Sequence, residues 1–114
     1  MEVKDVKVYA NSDVLRVVAL IPEGHSHIRL VLEFKDQIIV VQEATAAAIV
    51  RAYVDIITHP MRRAVELVSM QASKDVRKKG YAEHQLIESA KSEYEVMHEW
   101  SERLFKGVFH NLSS

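Results

Sequence analysis

The stretch IPEGHSHIRL, from Ile21 to Leu30, sets His25 and His27 two residues apart, directly after a glycine. On a β-strand, residues i and i+2 share a face, so two imidazoles at this spacing can grip one metal ion. Zinc needs a third or fourth ligand, and the chain has neither an HExxH pattern nor a cysteine pair to supply it. Glu33 falls on the same face as His27, but six residues of extended chain put it roughly 20 Å away. The other histidines (59, 84, 98 and 110) sit on separate segments. Pro22-Glu23-Gly24 is turn chemistry. The stretch therefore reads as a turn that feeds a strand, with its histidines on a solvated face. No metal ligand and no cofactor-binding residue is assigned.

The second group with chemical potential is basic. Arg62, Arg63, Lys74, Arg77, Lys78 and Lys79 cluster in the middle of the chain and could contact phosphates. No aromatic residue interleaves with them, whereas stacking on single-stranded bases needs aromatics. Six glutamates follow between residues 81 and 102, against one lysine, so an acidic segment lies next to the basic one and can neutralise it. "THPMRRAVELV" (58–68) resembles, over about ten residues, the His-Pro opening of a basic helix in winged-helix regulators. The expected order of elements departs from that pattern, with strands first and an acidic helix last, and no family is assigned.

Catalytic groups are sparse. The three glycines are isolated, so no phosphate-cradling loop is present, and no serine stands in a nucleophile-elbow context. Arg51, Asp55 and Thr58 recur at i, i+4 and i+7, a spacing that supports a helix surface rather than an acid–base site. The chain reads as non-enzymatic, with no catalytic residue.

Bulk properties narrow the class further. A chain of 114 residues fits one domain, and 48% apolar residues suffice for a core. A formal charge of −1 is not that of a strongly nucleic-acid-binding domain. The absence of cysteine removes disulfides and thiol chemistry and fits a cytoplasmic setting. No apolar run approaches the length of a membrane span, and MEVKDVKVY lacks the apolar stretch of a signal peptide.

The elements that must position these residues form an α+β pattern. Residues 1–43 alternate as strands over 6–10, 14–21, 27–34 and 37–43, with short links, which predicts a four-stranded antiparallel meander. Lys35-Asp36 is short enough for a tight hairpin. Residues 45–58 predict a helix apolar almost all round, capped by Thr45 and lying buried across the sheet. Pro60 stops it. A single stripe through Met61, Ala64, Val65, Val68, Ala72 and Val76 predicts a second helix over 60–79. The spacing of Ile87, Ala90, Tyr94, Met97, Ser101, Leu104 and Val108 predicts a last helix over 82–106 with a heptad seam, roughly 35–40 Å long. Ser92 with Glu95 three residues later offers a capping box for a shorter helix instead.

Such an overhanging seam needs a partner, because monomers rarely expose large apolar patches. The expected function is a small non-catalytic module that pairs with itself, most simply as a dimer, or docks on another protein. Its interface is expected at Tyr94, Met97, Trp100, Leu104, Phe105 and Val108. Nucleic-acid binding through the basic 62–79 segment is the alternative, and small-molecule binding between sheet and helices is a third.

Overall fold

A computed structural model describes residues 4–71 and 84–105. It is an α+β fold with a three-stranded antiparallel sheet, a two-stranded antiparallel sheet and two helices. In chain order these are β1 (Val14–Leu20), β2 (Arg29–Phe34), β3 (Ile38–Gln42), α1 (Glu43–Thr58), β4 (Leu67–Gln71), β5 (His84–Glu88) and α2 (Glu93–Phe105).

The first sheet runs β1-β2-β3. Its alternating β-branched residues form the ladder that their pattern demands. Val18, Val31 and Val40 stand in one cross-strand row, and Leu32 pairs with Val17 and Ile39. A register shift between Val14 and Arg16 bulges the edge of β1. Lys35-Asp36 makes the tight β2–β3 hairpin, closed by the Phe34 N–H donating to the Gln37 carbonyl at 2.8 Å. The loop before β2 is the turn read from its residues. The His25 N–H donates to the Pro22 carbonyl at 2.9 Å, and Gly24 at φ 81° takes the left-handed position that a type II turn requires.

The meander has three strands, not four. Residues 6–10 stay irregular and step into a 3-10 turn at Asn11–Asp13. Asp13 explains the departure. Its carboxylate accepts from the Ala10 N–H at 3.1 Å while its own N–H donates to the Ala10 carbonyl at 2.9 Å. This local bonding competes with a strand ladder. The segment is held by side chains instead: Tyr9 stacks on Phe34 at 3.8 Å between ring centroids, and Lys7 and Tyr9 both bond Asp36.

α1 follows β3 without a loop. Its N-cap is Gln42 in an extended conformation, so Thr45 is inside the helix and not its cap. Glu43 in the first turn accepts the Ile28 N–H at 2.9 Å and ties the entry of β2 to the helix. Pro60 follows the end of the helix, as its missing N–H requires.

The expected helix over 60–79 is not formed in its described part. Residues 61–66 are irregular and 67–71 form β4; residues 72–79 lie outside the described residues. Leu67, Val68, Ser69 and Met70 pair with Glu88, Ile87, Leu86 and Gln85 of β5. A helical stripe and a strand alternation overlap in this segment, and the cross-strand partner decides between them. The long last helix divides for the same reason. Its first part is β5, and α2 begins only at Glu93. The Ser92 hydroxyl accepts from the Glu95 N–H at 3.2 Å, and the Glu95 carboxylate accepts from the Ser92 N–H at 3.2 Å. This is a complete capping box. The 13-residue helix spans about 20 Å. Among the described residues no helix is long and apolar enough to cross a membrane.

Little of the described chain is closed off from solvent. Ala48 on α1 and Val96 on α2 are its buried apolar residues. Leu30, Leu32, Ile39 and Val41 are half-buried, and α1 lies against β2, β3 and β5.

Candidate interaction surface

α1 carries its polar and apolar residues in the opposite sense to that expected. Ala48, Ala52 and Asp55 lie on the inward side, with Thr45 and Ile56 beside them. Each charged group of the helix is taken up within the chain. Arg51 donates from Nη2 to the Leu86 carbonyl at 2.6 Å, Asp55 lies 3.8 Å from the Arg62 guanidinium, and Glu43 holds the Ile28 N–H. On the other side Ile49, Val50, Tyr53, Val54 and Ile57 are 48, 59, 65, 41 and 57% exposed. They run at i, i+1, i+4, i+5 and i+8, a continuous stripe on one face. The expected burial of this helix is therefore corrected. Its polar strip turns toward the second sheet, and its widest apolar face is uncovered.

The first sheet adds further apolar surface. Ile38 and Val40 of β3 and Leu15, Val17 and Leu20 of β1 are exposed. Beside the valine row, Arg16 and Glu33 form a cross-strand ion pair at 2.7 Å.

α2 places Tyr94, Met97 and Trp100 at 74, 37 and 38% exposure. Leu104 is half-buried, Phe105 is the last helical residue, and Val108 lies outside the described residues. Arg103 sits over the Trp100 ring at 4.4 Å and donates to the Lys4 carbonyl at 3.0 Å. Tyr94, Met97, Trp100 and Leu104 of the expected interface thus share one side of a short helix, with Glu95, Glu99 and Glu102 on the opposite side.

The junction of residues 59–66, β5 and α2 is charged. It surrounds a cleft of about 460 Å³ whose walls include His59, Arg62, Glu66, Glu88, Lys91 and Glu93. Arg62 pairs with Glu88, and Lys91 bridges Glu66 at 3.5 Å and Glu99 at 3.0 Å. Hydrogen bonding to Glu99, with the Glu66 charge behind it, raises the Lys91 pKa. The Glu93 carboxylate accepts the N–H groups of Arg63 and Ala64, and these bonds lower its pKa. One oxygen of Glu66, Oε1, is buried without a hydrogen-bond partner among the described residues. Small-molecule sites are mostly apolar with a few polar groups. This cleft is instead closed across by opposite charges.

Of the basic group, Arg62 is thus turned to Glu88 and Asp55, and Arg63 is exposed. Lys74, Arg77, Lys78 and Lys79 lie outside the described residues. The opening histidines separate: His25 is in the turn, and His27 Nδ1 lies 3.4 Å from Glu43. Among the described residues no group of three His, Asp or Glu could hold a metal ion. Comparison with family models, with curated proteins and with solved structures gives no match.

Proposed function

We propose that the chain is a non-catalytic module that associates with its own copies or docks on a protein partner, in a cytoplasmic setting that its lack of cysteine suits. The exposed apolar stripe of α1 carries this reading. Together with the uncovered residues of β1, β3 and α2, it exceeds the scattered apolar exposure ordinary for a monomer. The α2 residues Tyr94, Met97, Trp100, Leu104, Phe105 and Val108 remain part of the proposed contact surface. Within the charged junction, Arg62 already has acidic partners, which favours a structural use of that arginine over phosphate binding. Light scattering coupled to size exclusion tests the reading, because association depends on concentration. The expected mass is that of a dimer at about 100 μM, falling toward a monomer on dilution. A monomer at about 100 μM, with no protein partner retained, overturns it.

A further inference from the structure

Resting on that reading, we infer that the outer face of α1 is the centre of a two-fold interface, with α1 of a second copy packed against it antiparallel. Three observations support a second copy as the occupant. The first is charge. The stripe itself carries none, and Glu43, Arg51 and Asp55 are engaged by this chain's own groups. A closed dimer sets a patch against its own image, so an uncharged patch meets no like charge. α2 offers less open surface, since its Met97 and Trp100 are 37 and 38% exposed and Arg103 lies over the Trp100 ring. A helix lying on a membrane surface needs Lys or Arg on its polar face. The one arginine of α1 is bound to a backbone carbonyl of β5.

The second is spacing. Val50, Tyr53 and Ile57 are separated by three and four residues, the seam of a paired helix, and Ile49 and Val54 widen it on either side. The third is size. Monomers rarely carry an apolar patch above ~300–600 Å². Five large side chains near half exposure reach that scale. An interface of ordinary size takes ~800 Å² from each partner, so the stripe supplies its central portion.

Antiparallel packing places the axis at Tyr53, the middle of the stripe. Ile49 then meets Ile57 of the second copy, and Tyr53 approaches Tyr53. The opposed helix ends also attract, because the partial charges at the two termini differ in sign. Helices in such contact lie ~8–10 Å apart.

The lack of native cysteine makes disulfide trapping a clean test. Tyr53→Cys should form a covalent dimer on mild oxidation. Ile49→Cys alone should not, because the two copies of residue 49 lie about 12 Å apart along the axis, beyond disulfide reach. A mixture of Ile49→Cys and Ile57→Cys chains should cross-link. In parallel, Val50→Glu with Tyr53→Glu should weaken the dimer at least about 100-fold by light scattering, with unchanged far-UV circular dichroism, because both residues are more than half exposed. A wild type that stays monomeric at about 100 μM overturns this inference, and the proposed function falls with it only when no protein partner is retained either. A wild-type dimer that neither cross-links through Tyr53→Cys nor responds to the double glutamate variant overturns this inference alone and moves the contact to another face. Cross-linking of Ile49→Cys with itself overturns the antiparallel arrangement. If the double glutamate variant unfolds, the cross-linking pattern decides.

Discussion

The two halves of the chain are held together differently. Residues 14–58 rely on strand pairing and apolar contact, with Arg16–Glu33 and His27–Glu43 at the margins. Residues 59–71 and 84–105 pair β4 with β5 and add a network of charge: Arg62 with Glu88 and Asp55, Lys91 with Glu66 and Glu99, and Glu93 on two backbone N–H groups. Their helices differ accordingly. α1 pairs its charges within the chain and turns its apolar stripe out, while α2 buries Val96 and carries Glu95, Glu99 and Glu102 on the side away from Met97 and Trp100. Apolar contacts are non-directional, so a partly covered apolar half can gain further contact from another chain. In the second half most charged groups of the junction are paired within the chain, Glu66 Oε1 excepted. The longest uncharged apolar stripe accordingly lies in the first half, on α1.

The largest effects should come from the two buried positions, one in each half. Ala48→Leu should overpack the underside of α1 and destabilise by about 1–3 kcal/mol. Val96→Ala should leave a void beneath α2 and destabilise by roughly 1–3 kcal/mol. Urea unfolding followed by tryptophan fluorescence measures both, since Trp100 is the chain's single tryptophan. Two separate transitions would sharpen the contrast into two folding units. A loss below about 0.5 kcal/mol at Val96 would remove the apolar anchor assigned to α2.

Ser92→Ala should follow, with a loss of about 1 kcal/mol, because it removes the N-cap of α2. The matching change in α1, Thr45→Ala, should have a smaller effect, since Gln42 precedes that helix and Thr45 does not cap it. Equal losses at the two positions would break the distinction between a helix started by its cap and one continued from a strand.

The pH response should separate the halves next. Backbone N–H groups lower the pKa of Glu93 and of Glu43 below the ordinary value of 4.5. A carboxylate lowered in the folded state adds stability that is full above the unfolded value and is lost as pH falls through the folded one. Thermal melting temperature should therefore drop below about pH 4.5, and Glu93→Gln should flatten that drop more than Glu43→Gln, which keeps one backbone contact rather than two. An acid limb unchanged in Glu93→Gln would show that the second half does not depend on that carboxylate.

The smallest effect should be at the exposed cross-strand pair. Arg16→Ala should cost about 0.2–1 kcal/mol and less at high salt. A larger loss, insensitive to salt, would mean that the first half rests on charge after all.

What the sequence determined by itself is local. The antiparallel hairpins, the turn at Pro22–Gly24, a helix over 45–58 and its stop before Pro60, and the capping box at Ser92 all follow from short-range rules. Alternation, a positive-φ glycine, a missing N–H and a serine–glutamate pair act within a few residues. The α+β class follows from them. The tertiary structure alone decided three matters. It made residues 67–71 and 84–88 strands, because each could satisfy its backbone only against the other, and no window around either contains that partner. It left residues 6–10 out of the sheet, because Asp13 and the Asp36 turn offered their groups competing bonds. It also decided which way α1 faces. A helix apolar on most of its surface can bury any side, and the choice fell to the few polar groups with specific partners, Arg51 at the Leu86 carbonyl and Asp55 beside Arg62. A directional bond to a carbonyl 35 residues away and an ion pair just past the helix end therefore oriented the helix and left its apolar stripe outward.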